Sequence, residues 1–176
     1  MKDILIWLKN SFGSKELWNS KAKYYGDVLQ KFTIQGAINL YVMTNAYCAS
    51  WILEVACGAG DPSIVLLTNF LRNGSSYFCC DFSEKMIEIT WENINKSLLS
   101  HDSTFKHIEA DISGKQNIDL LISPHSDYQK WCFSFVADNE CLPFEKEQFD
   151  LYLAVLSLML VSDYKAQIRE SYWVLQ

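Results

Sequence analysis

The chain has 176 residues, with 15 Lys and Arg against 21 Asp and Glu. That is the length of one domain, and a net charge of −6 leaves no basic surplus for a broad nucleic-acid face. Hydrophobic residues at 49% exclude a disordered chain and supply a sizeable core.

In chain order, the apolar run at residues 4–8 is too short for a membrane span or a signal-peptide core, so a cytoplasmic location is expected. Residues 1–13 read as a short helix with Trp7 and Phe12 for packing. Leu17, Trp18, Ala22, Tyr25, Val28, Leu29 and Phe32 then recur at helical spacing. Ile34, Ala37, Ile38, Tyr41 and Val42 continue the pattern, which makes residues 1–50 a helical layer. The cysteines Cys48, Cys57, Cys79, Cys80, Cys132 and Cys141 contain no C-x-x-C pair and read as buried, reduced thiols, with no metal implied.

Trp51–Val55 is an apolar strand with one acid, Glu54. It runs into the small residues Ala56, Cys57, Gly58, Ala59 and Gly60, and then Asp61-Pro62, where a helix begins with Asp61 as its cap. Strand, small-residue turn and helix form a cradle for a ligand. Gly58 and Gly60 tolerate φ > 0, a side chain at Gly60 would enter the ligand's space, and free N–H groups at the helix start would attract an anionic group. A dinucleotide fingerprint requires a third glycine where this chain has Ser63.

The following helix is expected to reach Arg72, with Asn73-Gly74 as its stop. Residues 76–80 form a second strand ending at Asp81, a position from which a carboxylate can accept from both hydroxyls of a ribose. A helix follows from Phe82, with Met86 in its first turn. Residues 105–111 and 131–138 both read as strands ending in an acid. The second is taken as the third strand of the sheet, so that about 101–130 becomes an insertion carrying His101, His107 and His125 without metal-ligand spacing. Residues 151–156 are a fourth strand, apolar enough to be buried on both faces, and Asp163 caps a final helix.

The run E-V-A-C-G-A-G at residues 54–60 resembles motif I of the class I S-adenosylmethionine (SAM)-dependent methyltransferases. D-N-E-C-L-P-F at residues 138–144 is similar to a signature of their small-molecule branch (type 11). Arg169-Glu170 and Val174-Leu175 match the family's next helix, with Trp173 where an arginine is usual. The resemblance covers residues 51–176 and implies an α/β Rossmann-like, doubly wound, mostly parallel sheet. It further implies a helical cap at 1–50 over a SAM-binding core at 51–176. The cofactor residues it implies are Glu54, Ala56, Gly58 and Gly60 in the first motif, then Asp81, Phe82 and Met86, then Asp138, Asn139 and Val155. Asp138 would accept from the adenine amino group, and Met86 either packs on the adenine or joins the core.

Trp18, Tyr24 and Tyr25 are candidates for a lid over the site, or fill the space between helix and sheet. The implied reaction is methyl transfer to a small-molecule or lipid-like acceptor; the alternative is a truncated, catalytically inactive domain that binds SAM or a partner. No catalytic residue is singled out. The resembled fold has seven strands, of which the first four are found here and the last three are lacking. The fourth strand would then be an exposed apolar edge through which the chain could self-associate.

Overall fold

The computed structural model describes residues 14–99, 104–110, 112 and 129–176. The helix expected at 1–13, His101 and His125 lie outside the described residues. Helix α1 (Lys15–Tyr24) passes through a π-helical turn (Tyr25–Leu29) into α2 (Gln30–Met43). Then follow β1 (Trp51–Val55), α3 (Asp61–Asn69), β2 (Ser76–Asp81), α4 (Glu84–Ile94), β3 (Phe105–Glu109), β4 (Lys130–Val136), β5 (Leu151–Ala154) and α5 (Tyr164–Val174). The strands form a five-stranded sheet in the order β3-β4-β2-β1-β5, and every pairing is parallel. This is the expected α/β doubly wound architecture.

Alternation along the strands divides the core between the two faces. Ile52, Tyr77, Cys79, Cys132 and Leu153 pack with Ala37 and Tyr41 of α2, Leu66 and Leu67 of α3, and Ile87 and Ile94 of α4. Leu53, Val55, Phe78, Cys80, Phe133 and Phe135 pack on the other face with Leu142, Phe144, Phe149 and Val174. Phe78 is the hub of that second core: its ring stacks on Phe133 at 4.6 Å and meets Phe149 edge-on at 5.3 Å. Cys79 and Cys80 therefore serve opposite faces, as adjacent strand residues must.

Several expectations are corrected. Residues 105–109 form a strand as well, the outer one on the β4 edge, so the stretch taken as an insertion adds to the sheet. Its pattern is that of an edge: Phe105 and His107 pack inward while Lys106 and Ile108 face out. Helix α3 ends at Asn69, short of Arg72, and its cap is Gly60 at φ 88°, with Asp61 already helical. Cys48 and Cys141 are exposed thiols; the other four are buried. On the opposite edge, β5 pairs with β1 alone among the described residues, while just before it Phe149 bridges Leu175 in parallel.

His107 ties the β3 edge to the helix layer. Its Nδ1 lies 2.7 Å from Asn95 Oδ1, its Nε2 lies 3.0 Å from Ser134 Oγ, and its ring centroid lies 4.1 Å from that of Trp91. Asn95 Oδ1 can only accept, so Nδ1 carries the proton and Nε2 accepts from the serine, which makes the ring neutral. Burial lowers its pKa from 6.5 to about 3. The depressed value means that the stabilising contribution is complete above 6.5 and is lost as the pH falls toward about 3. Urea unfolding at about pH 7 and about pH 4 should show a smaller loss of stability for His107→Phe than for the unaltered chain. Equal losses in both proteins would contradict this reading.

Candidate functional site

The turn after β1 is fixed by side chains from four directions. The Gly58 N–H donates to Asp81 Oδ2 at 3.1 Å, and the Ala59 N–H donates to Gln30 Oε1 at 2.7 Å. Thr90 Oγ1 donates to the Gly58 carbonyl at 2.7 Å, and Asn93 Nδ2 donates to the Ala59 carbonyl at 3.0 Å. Asp81 stands at the end of β2, Thr90 and Asn93 lie on α4, and Gln30 opens α2 just beyond the π-turn. The amides of Gly58 and Ala59, which precede the helix start, are thus used by the protein itself.

Steric contact is as close as the hydrogen bonding. A Cβ on Gly58 (φ 63°) would lie 2.8 Å from Tyr25 Cε1, and one on Gly26 would lie 2.9 Å from Ala59 Cβ. Gly60 has a different reason to be glycine from the one expected. At φ 88° its Cβ would meet Thr90, including the backbone Cα at 3.1 Å, so a side chain there would strike α4.

Beside the loop a cleft encloses about 870 Å3, part of it open to solvent. Its floor is the C-terminal ends of β1, β2, β4 and β5: Ala56 and Gly58, Asp81 with Phe82, Asp138 with Asn139, and Val155. Met86 on α4 closes one wall, Trp18 and Tyr25 another, and Leu156, Ser157, Leu160, Val161 and Ser162 form the rim. Ala56 (φ 53°) and Leu156 (φ 57°) turn the chain into the cleft in the left-handed conformation, which side chains larger than hydrogen disfavour. Acidic groups Asp81, Asp138 and Glu140 face the cleft, and no Lys or Arg does among the described residues.

All the cofactor residues named from the sequence meet here except Glu54 and Gly60. Of the lid candidates, Trp18 and Tyr25 line the cleft and touch edge to face at 5.8 Å, whereas Tyr24 is 56% exposed outside it. Asp81 also accepts from the Ser83 N–H at 3.0 Å, and burial raises its pKa to about 6. Asp138 Oδ1 accepts from the Glu140 N–H at 2.9 Å and shapes its own turn. Asn139 is 7% exposed, and its buried Oδ1 has no partner. Gln30, Thr90 and Asn93 escaped the sequence reading; polar residues on helices give no signal there.

Glu54 lies beneath the loop. It is 2% exposed and accepts from the hydroxyl of Tyr41 at 3.1 Å and from that of Tyr77. Tyr77 in turn lies 2.8 Å from the Ser63 hydroxyl of α3. Burial raises the Glu54 pKa to about 7, against the opposing effect of the two tyrosine hydroxyls.

The family described as "Methyltransferase domain" matches residues 53–176. No curated protein sequence matches. Among solved structures, the fold is similar to a protein of Methanococcus maripaludis assigned as an S-adenosyl-L-methionine-dependent methyltransferase. Identity is 18% and the TM-score 0.59, over 93% of this chain and 59% of that one. It is also similar to the [4+2]-cyclase SpnF, at 20% identity and a TM-score of 0.51, over 73% of this chain and 36% of that one. A third likeness is to the methyltransferase assigned in a complex with the Trm112 methyltransferase activator of Haloferax volcanii. Here identity is 14% and the TM-score 0.51, over 96% and 56% of the two chains. The chain thus spans between 36% and 59% of the length of these proteins.

The Glu54 cluster generates a pH test. The unfolded carboxyl titrates near 4.5 and the folded one near 7, so its stabilising effect is complete below 4.5 and is lost as the pH rises to about 7. Glu54→Gln keeps an oxygen for both tyrosine hydroxyls and removes the titration. Thermal melts at about pH 5 and about pH 8 should therefore differ less for the variant than for the unaltered chain. An unchanged difference would remove Glu54 as a source of pH dependence.

Proposed function

The chain belongs to the methyltransferase-domain family, and from that premise we propose that it binds SAM in the cleft and methylates a small, largely apolar acceptor. The observation that carries this is the convergence of residues from four strand ends on one acidic cleft. Ligands of open parallel sheets bind outside the carboxyl ends of the strands. A phosphate-bearing nucleotide would find no Lys or Arg in the described lining and no free amide at Gly58 or Ala59. A ligand with a sulfonium, an ammonium and a ribose finds carboxylates, which suit all three.

The residues fit that ligand part by part. Asp81 accepts from the ribose hydroxyls, while Phe82 and Met86 offer apolar surface to the adenine. Asp138, of which only Oδ1 is engaged by the Glu140 N–H, and Asn139 Oδ1, a buried acceptor without a partner, are both placed to take the adenine amino group. Ala56, Gly58 and Val155 border the methionine portion, and Glu54 and Gly60 act by holding the loop in shape. SAM supplies a methyl group already activated on sulfur, so the protein's task is alignment, an effect worth roughly 7–11 kcal/mol. Trp18, Tyr25, Leu156, Leu160 and Val161 give the cleft apolar surface that suits a small-molecule or lipid-like acceptor.

A second reading is a domain that binds SAM or a partner without methylating anything. The likeness to a cyclase favours keeping it, since one fold hosts several reactions. Acceptor-dependent methyl transfer distinguishes the two. We place the protein in the cytoplasm, and among the described residues no helix is long and apolar enough to cross a membrane. The outer side of β5 is the surface through which copies would associate.

Calorimetric titration should give micromolar binding of SAM and an affinity at least about tenfold weaker for Asp81→Ala, as expected from the loss of charged hydrogen bonds. Binding to the unaltered chain should also weaken as the pH falls below about 6, where Asp81 takes up a proton and can no longer accept from both hydroxyls. Unchanged affinity in a folded Asp81→Ala chain would remove Asp81 from the site.

A further inference from the structure

Gln30 is completely buried, yet only half of its amide is satisfied. Oε1 accepts the Ala59 N–H at 2.7 Å, while Nε2 is buried with no partner. The orientation of the amide is not arbitrary, because an N–H donor can face only the oxygen. An unpaired buried donor is costly, so a position that retains one calls for a partner. The amide lies beside residues that line the cleft. Gln30 Oε1 would lie 3.1 Å from a Cβ on Gly58, and Gly58 and the neighbouring Tyr25 both line the cleft. The π-helical turn at Tyr25–Leu29 adds a residue to the helical repeat immediately before Gln30, whose backbone N–H donates to the Tyr25 carbonyl across it. Gly26 within that turn lets the helix approach Ala59 closely.

We propose that Gln30 is a cofactor-positioning residue, and that its Nε2 donates to the carboxylate at the amino-acid end of the ligand. The inference rests on the SAM reading above and goes beyond it. Gln30 lies outside the family-matched residues 53–176, in the helical layer that precedes the first motif. A carboxylate entering this cleft needs a donor. The amides of Gly58 and Ala59 are occupied, and no Lys or Arg reaches the described lining. Gln30 Nε2 is the unsatisfied donor beside the loop. One side chain then performs two tasks: its oxygen fixes the glycine turn, and its nitrogen reads the ligand held by that turn.

The two tasks are separable. Gln30→Glu keeps an oxygen for the Ala59 N–H and replaces the donor with a second acceptor; at about pH 8 it also opposes a carboxylate with a charge. The probes are S-adenosylhomocysteine, which carries the amino-acid end, and 5′-methylthioadenosine, which keeps the adenosine and lacks that end. Calorimetric titration of the full chain at that pH should show Gln30→Glu binding S-adenosylhomocysteine about tenfold or more weakly, with 5′-methylthioadenosine within about twofold of the unaltered chain. Should Gln30→Glu fail to fold, Gln30→Met, which gives up the loop-holding oxygen as well as the donor, should weaken both probes but S-adenosylhomocysteine several-fold more than 5′-methylthioadenosine. Equal weakening of both probes would reduce Gln30 to a support of the loop and overturn the proposal, as would unaltered binding of both. If the unaltered chain binds 5′-methylthioadenosine as tightly as S-adenosylhomocysteine, the adenosine site stands and the role of Gln30 falls. If it binds neither probe, the SAM reading falls and takes this inference with it.

Discussion

The peptide units of Gly58 and Ala59 leave no hydrogen-bonding group uncommitted. Their two N–H groups go to Asp81 and Gln30, and their two carbonyls receive Thr90 and Asn93. Each such bond is worth about 1 kcal/mol net, and more where a carboxylate accepts. Their arrangement matters more than their sum. One turn ties together the end of β2, the inner face of α4 and the start of α2. The Glu54 cluster supports the turn from below, linking β1 to Tyr41 of α2 and to Tyr77 of β2, with Ser63 of α3 beside it. The loop therefore behaves as a rigid keystone, and the cleft beside it inherits that rigidity.

This constraint shapes what the cleft can hold. A glycine turn before a helix is commonly an anion trap because its amides point outward. Here the protein has filled the amides of Gly58 and Ala59 with its own acceptors and surrounded the remaining space with carboxylates and apolar side chains. The left-handed backbone at Ala56 and Leu156 costs of order 1–3 kcal/mol at each residue and brings the ends of β1 and β5 to the same space. Strain of this kind persists where the surroundings over-determine it, and both residues border the cleft. On the proposed reading a ligand with a positive centre and a diol meets carboxylates here, whereas a pyrophosphate would meet no Lys or Arg in the described lining.

The legible parts of the sequence were those whose signal is local. β1, β2 and β5 are short apolar runs, and each is followed by a residue type that the strand end requires: the small residues after Val55, Asp81, and Val155. The place of Asp81 was readable because it closes an all-buried strand, and strand ends of this sheet open on the cleft. The stretch at Phe105–Glu109 did read as a strand, but with two acid-ended candidates only one was given a place in the sheet; the structure uses both, the rejected one as the outer strand beside β4. Gln30, Thr90 and Asn93 carried no loop-binding signal because their importance lies in contacts about thirty residues away along the chain. The π-turn was invisible too, and it decides which tyrosine serves the site: Tyr25 faces the loop and Tyr24 faces solvent. The glycine pattern drew attention to the right turn but misplaced the reason for Gly60, which accommodates α4.

The central claim is that one cleft, built on a fully bonded glycine turn, holds the adenosine and the amino-acid end of a single ligand. A crystal structure of the chain with S-adenosylhomocysteine tests this most directly. The account predicts the ribose on Asp81, the adenine between Met86 and Asn139, and the amino-acid end beside Gly58 and Gln30, with the turn itself unmoved. A ligand bound elsewhere, or one that enters only by breaking the bonds from Gly58 and Ala59 to Asp81 and Gln30, would contradict it.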